Sequence, residues 1–144
     1  SVVGSSAAAL GIGGYSGPPG DYAFSTFVGT YDGTSWTTSP MTLLYGGWIS
    51  AGVCGGTQTV GILAGGDSSS PPTYAQTQTQ TWDGTSFASG AGISSPRTNG
   101  TGAGDSTGAL LIGGYTPSPG RLATVEEYST ATTSVADAKA ITTS

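Results

Sequence analysis

The 144-residue chain contains no histidine, one cysteine and three cationic side chains. Without histidine, a serine or cysteine hydrolase would lack its general base. With Cys54 alone, no internal disulfide can form, and in its apolar run we expect a small core residue rather than a reactive thiol. No apolar run approaches the roughly 18 residues of a membrane-spanning helix. Because Arg97, Arg121 and Lys139 are the only cations, we also expect no binding to nucleic acid or to an anionic membrane surface.

Charged residues of both signs are scarce, at 8% of the chain, and the net charge is -5. Ordinary soluble domains carry about a quarter charged residues. Long solvated helices need charges on their outer face, and this chain has too few. Thr, Val, Tyr and Trp favour strands, whereas the 26 Gly and 8 Pro residues favour turns. The composition therefore predicts an all-β protein.

Three segments of the chain superpose without a gap, namely 1–14, 53–66 and 101–114. Each is an apolar run that closes with a glycine pair, and the pairs are separated by 52 and then 48 residues. A loop containing proline follows each pair, and an alternating stretch ending in an aromatic residue comes next. Periods of about 20–50 residues are typical of solenoids, propellers and arrays.

The first two repeats continue in the same way, reading TYDGTSW at 30–36 and TWDGTSF at 81–87. Asp-Gly between alternating runs predicts a hairpin, because glycine accepts the positive φ of a tight turn. The third repeat has the first aromatic, Tyr128, but neither the Asp-Gly turn nor the second aromatic. We predict a four-stranded antiparallel meander of about 48 residues per repeat. In the first repeat its extended runs are placed at 7–12, 24–31, 35–38 and 48–54.

This order of features resembles the kelch repeat, in which an apolar strand ending in Gly-Gly is followed by a variable loop, a Tyr and then a Trp. The sequences of the repeats are also similar to those of kelch-like arrays in virion and fibre proteins of marine bacteriophages. The resemblance implies a kelch-like β-propeller as one repeat domain, 1–144, with four-stranded antiparallel blades at approximately 1–47, 48–100 and 101–144. Three blades do not close a propeller of 4–8 blades. We therefore expect a ring completed by another chain, for example in a homo-oligomer, or by further repeats of a longer chain.

The resemblance also separates structural residues from candidate ligand residues. The repeat-equivalent residues are interpreted as structural: Gly13, Gly14, Tyr31, Trp36, Gly65, Gly66, Trp82, Phe87, Gly113, Gly114 and Tyr128. In kelch propellers the loops after Gly-Gly and the connections between blades share one face that commonly binds ligands. By that resemblance the candidate ligand-binding residues here are Tyr22, Tyr45, Trp48, Tyr74, Arg97 and Arg121.

No constellation for catalysis is found in the sequence. Copper-radical oxidases, which are built on kelch-like propellers, need histidine ligands, and sialidase-like sites need three arginines. Glu126 and Glu127 are adjacent on a predicted strand and should face opposite ways. Asp21, Asp67 and Asp105 lie in Gly/Ser loops without the dense acidic pattern of a calcium site. We predict no enzyme activity, no cofactor and no metal.

Three functions remain after these exclusions. The first is a non-catalytic recognition or adhesion module on an extracellular or virion surface, such as a tail fibre involved in host recognition through a glycan or another host-surface ligand. The second is a purely structural assembly or decoration subunit. The third is a carbohydrate-active enzyme, which would need a carboxylate pair about 5–10 Å apart.

Overall fold

A computed structural model describes residues 1–16, 23–45, 53–67, 75–118 and 120–129. Over these ranges the chain is all-β and contains no helix, so no described segment is a long apolar helix able to cross a membrane. The strands in chain order are β1 (Val2–Gly4), β2 (Ala9–Ile12), β3 (Tyr15–Ser16), β4 (Ala23–Phe24), β5 (Val28–Tyr31), β6 (Trp36–Thr38), β7 (Val53–Gly56), β8 (Gly61–Ala64), β9 (Thr79–Trp82), β10 (Phe87–Gly90), β11 (Thr101–Gly104), β12 (Gly108–Ile112) and β13 (Val125–Ser129).

The strands form three main antiparallel sheets, one from each sequence repeat. Sheet I has the order β1-β2-β5-β6, sheet II the order β7-β8-β9-β10, and sheet III the order β11-β12-β13. A short separate hairpin joins β3 to β4. Of the run 48–54, only residues 53 and 54 are described. Their placement in the first unit was wrong, because they belong to β7, which pairs with β8 and is the first strand of sheet II. The fourth run of the third repeat falls after residue 129 and lies outside the described residues.

The repeated hairpins form as the Asp-Gly signal predicts. Tyr31 pairs with Trp36 across β5 and β6, and Trp82 pairs with Phe87 across β9 and β10. At both turns the aspartate Oδ1 accepts hydrogen bonds of 2.7–2.8 Å from the two backbone N–H groups that follow the glycine. The turn glycines have φ of 92° and 94°, a region that glycine enters at little cost.

The three sheets pack face to face in the order I, II, III. The cluster between sheets I and II combines an aliphatic face of sheet I with Leu63 and two aromatic residues of sheet II. The cluster between sheets II and III contains Ile62 together with Leu111 and Tyr128. Because neighbouring residues of a strand point to opposite faces, Ile62 and Leu63 on β8 lie in different clusters. Sheet II is therefore buried on both faces.

The first strand of each sheet lies where the sheets converge. Strand β7 contacts both β1 and β11. A Cβ atom added to Gly55 on β7 would lie 2.5 Å from the carbonyl oxygen of Gly104 on β11. No side chain fits at that distance, so a glycine at this position permits the close approach of the two backbones.

The outer faces of the two end sheets are exposed. Leu110 and Ile112 of sheet III are 45% and 40% exposed, whereas their counterparts Leu10 and Ile12 in sheet I are 0% and 5% exposed. Trp36 in sheet I is 51% exposed. Among the described residues no sheet covers this face of sheet I, so the interpretation of Trp36 as a structural residue of the repeat stays a prediction.

Candidate functional site

The three Gly-Gly pairs direct the chain from the sheets into loops at one edge of the stack. They follow β2, β8 and β12, and all six glycines have positive φ, between 62° and 130°. The first glycine of each pair donates its N–H to an equivalent carbonyl in the next strand segment, that of Phe27, Gln78 or Thr124. A side chain at most of these positions would strain the backbone, which explains why the pair recurs in every repeat.

A pocket of about 380 Å³ lies at this edge, between the loops of sheets II and III. Its lining residues are Asp67, Ala75, Thr98, Asn99, Tyr115 and Pro117. The two sides are joined by a bridge in which Thr98 and Tyr115 exchange backbone hydrogen bonds of 2.8 and 2.7 Å. Asp67 and Tyr115 each follow a Gly-Gly pair directly, so the repeat places them at equivalent positions. Tyr115 is 48% exposed.

The backbone of the pocket includes one constrained position. Asn99 has a φ of 54°, and it is the only described residue other than glycine with a positive φ. Asparagine adopts this left-handed conformation more readily than most residues. Its side-chain Nδ2 donates to the Thr98 Oγ1 at 3.3 Å. The pocket thus combines a carboxylate, an amide and an exposed aromatic ring, a set of groups that suits a neutral polyhydroxyl ligand.

Two of the predicted ligand residues lie among the described residues and are accessible in part. The Tyr45 hydroxyl is 2.9 Å from the Ser89 hydroxyl, and its ring packs against the cluster between sheets I and II. Arg121 is exposed and forms an isolated β-bridge with Tyr115, beside the pocket. Their roles in binding stay predictions. The other three aromatic candidates, Tyr22, Trp48 and Tyr74, lie outside the described residues.

Arg97 is not a surface ligand residue, which corrects the prediction made from the sequence. Its side chain is 0% exposed and forms a salt bridge with Glu126 of sheet III. The guanidinium also donates to the carbonyl of Gly113 at 3.1 Å and to the Thr124 hydroxyl at 3.4 Å. A ligand in solution cannot reach this group. Arg97 instead links the segment after sheet II to sheet III.

Glu126 completes a buried polar cluster between sheets II and III. Its Oε2 accepts a 2.7 Å hydrogen bond from the Ser94 N–H, while Oε1 receives Arg97. Glu126 is 1% exposed and the neighbouring Glu127 is exposed, so the expectation that they face opposite ways is confirmed. The pairing of Arg97 with Glu126 was missed from the sequence, because 29 residues separate them and no local spacing joins them.

The repeat register carries a signal for this cluster that sequence reasoning did not use. Glu126 pairs with Leu111 in sheet III as Gln80 pairs with Leu63 in sheet II, so the two polar residues occupy one column. The Gln80 Oε1 accepts a 2.8 Å hydrogen bond from the Leu44 N–H, the counterpart of the Ser94 contact. Gln80 is 0% exposed, and its Nε2 has no hydrogen-bond partner among the described residues. A buried polar residue at this strand position therefore marks the place where the segment leaving one sheet contacts the next sheet.

Three aspartates in turns have a lowered pKa. Backbone N–H groups lower the pKa of Asp32 and Asp83, with Ser35 and Ser86 the largest causes, respectively. The hydroxyl and N–H of Thr107 lower the pKa of Asp105 in the same way. Burial raises the pKa of the Tyr128 phenol. Among the described residues, no three His, Cys, Asp or Glu side chains form a group that could hold a metal ion.

Comparison with known proteins gives a structural neighbour and no family. No family model matches the chain, and no curated protein matches it. The chain is similar to a solved structure described as "Structure of YjhT", with a TM-score of 0.72 and 18% sequence identity. The match covers 94% of this chain and 43% of that chain. The chain therefore spans less than half the length of this neighbour, and at this identity the likeness concerns the fold alone.

Proposed function

We propose that the chain is a non-catalytic recognition module built from kelch-like blades of a β-propeller. Three antiparallel sheets stacked face to face, with their first strands close together, support the propeller arrangement. The structural neighbour is more than twice as long as the matched region, so a fold of this kind can extend beyond three sheets. The kelch resemblance of the repeats and the uncovered end sheets point the same way.

The observation that carries the recognition role is the pocket between sheets II and III. It is formed where segments following two repeat glycine pairs meet, and it presents Asp67, Asn99 and Tyr115 together. In the kelch family, which the repeats resemble, ligands commonly bind on the face that the loops form. We propose that this pocket binds a glycan on a host or cell surface, through stacking on the Tyr115 ring and hydrogen bonds to the Asp67 and Asn99 side chains. Sparse charge and abundant Ser and Thr fit an extracellular or virion surface.

Binding to an immobilised glycan array tests this role. Tyr115→Ala and Asn99→Gly remove the exposed ring and the side-chain amide, and Gly keeps the positive φ of position 99. Both variants should lose at least about tenfold in affinity for the bound glycans, which corresponds to about 1.4 kcal/mol. Thr85→Ala, in an exposed turn of sheet II outside the pocket, is the matched control and should bind normally. Equal binding by all four proteins would contradict a ligand site in this pocket.

A structural assembly role is the second candidate, and a separate observation favours it. The two end sheets leave large apolar side chains exposed, with Trp36 and Leu110 each near half exposure. Such patches mark surfaces that another protein surface covers. An assembly or decoration subunit would use these faces without any small ligand.

A further inference from the structure

The two ends of the stack present different apolar faces. The aromatic end face lies on sheet I and consists of Phe27, Tyr31 and Trp36. The aliphatic end face lies on sheet III and consists of Leu110, Ile112 and Val125. Four of these six side chains are 40–51% exposed, and Tyr31 and Val125 are half-buried.

The interface between sheets I and II already joins an aliphatic face to an aromatic one. On the sheet I side it contains Leu10, Ile12 and Val28, and on the sheet II side Trp82 and Phe87. Every one of these residues has a counterpart on an end face at the same strand position. Leu110, Ile112 and Val125 correspond to the aliphatic trio, and Tyr31 and Trp36 correspond to the aromatic pair. The end faces therefore match five of the eight buried residues of that cluster, and Gly11 on the aromatic end face stands at the position of Leu63.

The aromatic end face can be covered without burying a polar side chain at the position of Gln80 and Glu126. A Cβ atom on Gly11 would lie 3.0 Å from the Trp36 ring, and one on Gly29 would lie 2.5 Å from the Phe27 ring. The two rings thus lie over glycine backbone. Gly29 also occupies the column that holds Gln80 in sheet II and Glu126 in sheet III, so this face has no buried amide or carboxylate to satisfy.

The aliphatic end face carries one charge, and its position is compatible with an interface. Glu127 pairs with Leu110 on this face and is exposed. Its counterparts Thr30 and Thr81 lie in the interfaces facing sheets II and III, where both remain half-buried rather than fully buried. A carboxylate at this position can keep contact with water at the rim. A hollow of about 380 Å³ borders Leu110 and Glu127 and leaves room for a partner side chain.

From this correspondence we propose that two copies of the chain associate head to tail. The aromatic end face of each copy packs on the aliphatic end face of the other, which creates two identical contacts and a ring of six sheets. Head-to-tail contacts generate closed rings when the rotation between subunits allows it, and six lies within the 4–8 blades of known propellers. This inference rests on the propeller part of the proposed function and is independent of the ligand pocket.

Sedimentation velocity of the 144-residue chain at about 1–100 μM tests the association. We expect a species of twice the 14.0 kDa chain mass, in equilibrium with monomer at the lower concentrations. Ile112→Asp should raise the dissociation constant at least about tenfold, because an unpaired carboxylate would enter an apolar contact. Ala88→Asp, on an exposed position of β10, adds the same charge away from both end faces and should leave the association unchanged. A monomer at every concentration would overturn the proposal.

Cross-linking distinguishes head-to-tail pairing from other contacts. In a Cys54→Ser background, chains carrying Trp36→Cys and chains carrying Ile112→Cys are treated with a short bismaleimide, separately and mixed. The mixture should give a covalent dimer and neither chain alone should. A dimer from either chain alone would mean that like faces meet and would contradict the proposal. A chain carrying both Trp36→Cys and Ile112→Cys should give covalent dimers only, whereas a ladder of larger species from this chain would mean an open filament and would contradict the ring. Glycan binding, measured on the same proteins, reports on the pocket alone and can fail without affecting this result.

Discussion

The two internal interfaces of the stack make the same backbone contact with different side chains. Between sheets I and II, the Leu44 N–H donates to the neutral amide of Gln80. Between sheets II and III, the Ser94 N–H donates to the carboxylate of Glu126, which also receives Arg97. The position therefore requires an acceptor oxygen, and the choice of residue decides what else must be buried. Within the described ranges Gln80 leaves its Nε2 without a partner, whereas Glu126 requires a buried cation.

The largest effect is expected from removing that cation. Arg97→Met leaves the Glu126 carboxylate buried without its partner, and we expect a loss of about 3–5 kcal/mol in the free energy of unfolding at neutral pH. Urea unfolding followed by circular dichroism measures it. Arg97→Met combined with Glu126→Gln turns the second interface into a version of the first and should recover most of the loss.

The exposed Arg121 provides the control for this prediction. Arg121→Met removes the same charge from the surface and should change the free energy of unfolding by no more than about 0.5 kcal/mol. If the single Arg97 variant and the double variant were equally unstable, the Glu126 charge would not be the cause of the loss.

The two aromatic hairpins differ in burial, because one lies on an internal face and the other on an end face. Trp82 is 2% exposed and its indole N–H donates to the carbonyl of Gln58 at 2.7 Å, whereas Trp36 is 51% exposed. Trp82→Ala should cost about 3–5 kcal/mol of stability. Trp36→Ala in dilute monomer should cost less, by about 2 kcal/mol or more, because half of its surface is already in water. Similar losses at both positions would show that the two hairpins are equally covered.

A carboxylate placed at position 80 tests why the first interface uses an amide. Gln80→Glu keeps the acceptor for Leu44 but supplies no arginine, so burial should raise the pKa of the new carboxyl above its unfolded value near 4.3. Below the unfolded pKa the carboxyl is protonated in both the folded and the unfolded protein, so it costs no stability. As pH rises above that value, the carboxyl ionises more readily in the unfolded protein, and the loss in the free energy of unfolding grows. A rise of one to two units corresponds to about 1.4–2.7 kcal/mol at neutral pH.

The measurement is the difference in unfolding free energy between Gln80→Glu and the parent chain at about pH 4 and pH 7. Gln80→Met is the uncharged control, and its difference from the parent should not depend on pH. A difference for Gln80→Glu that is the same at both pH values would contradict the buried, unpaired environment at this position.

The smallest effect concerns the turns that the two repeats share. Hydrogen bonds from Ser86 and Thr85 lower the pKa of Asp83, so its contribution to stability is complete above the unfolded pKa and is lost as pH falls through the lower, folded pKa. Asp83→Ala should therefore reduce stability at pH 7 and have less effect near pH 2, as measured by thermal unfolding. Asp32→Ala should behave alike, because the turn in sheet I has the same hydrogen bonds. Unequal pH dependence would show that the two turns are not equivalent.

Local features of the fold were predictable because they depend on residues close in sequence. The Asp-Gly hairpins form from four consecutive residues, and the glycine pairs end β2, β8 and β12 as their positive φ requires. The assignment of residues 53 and 54 was wrong because the partner of a strand depends on the next repeat. The repeat period alone does not show whether a strand between two repeats pairs with the preceding repeat or with the following one.

The candidate site was less predictable, because burial is decided by packing between sheets. Arg97 lies in a connection between repeats, where cations are usually exposed, and only the fold brings it to Glu126. The exposure of Trp36 has a similar cause. Its residue type and position match Phe87, and the difference lies in whether another sheet covers the face.

Single-tryptophan fluorescence tests most directly the claim that coverage of the sheet face distinguishes the repeats. One variant retains Trp36 and replaces Trp48 and Trp82 with Phe, and the other retains Trp82 and replaces Trp36 and Trp48. Quenching by acrylamide is measured from about 0.1 to 100 μM protein. We expect strong quenching of Trp36 in dilute protein that falls as copies associate, and weak quenching of Trp82 throughout. Strong quenching of Trp82, or quenching of Trp36 that is independent of concentration, would contradict it.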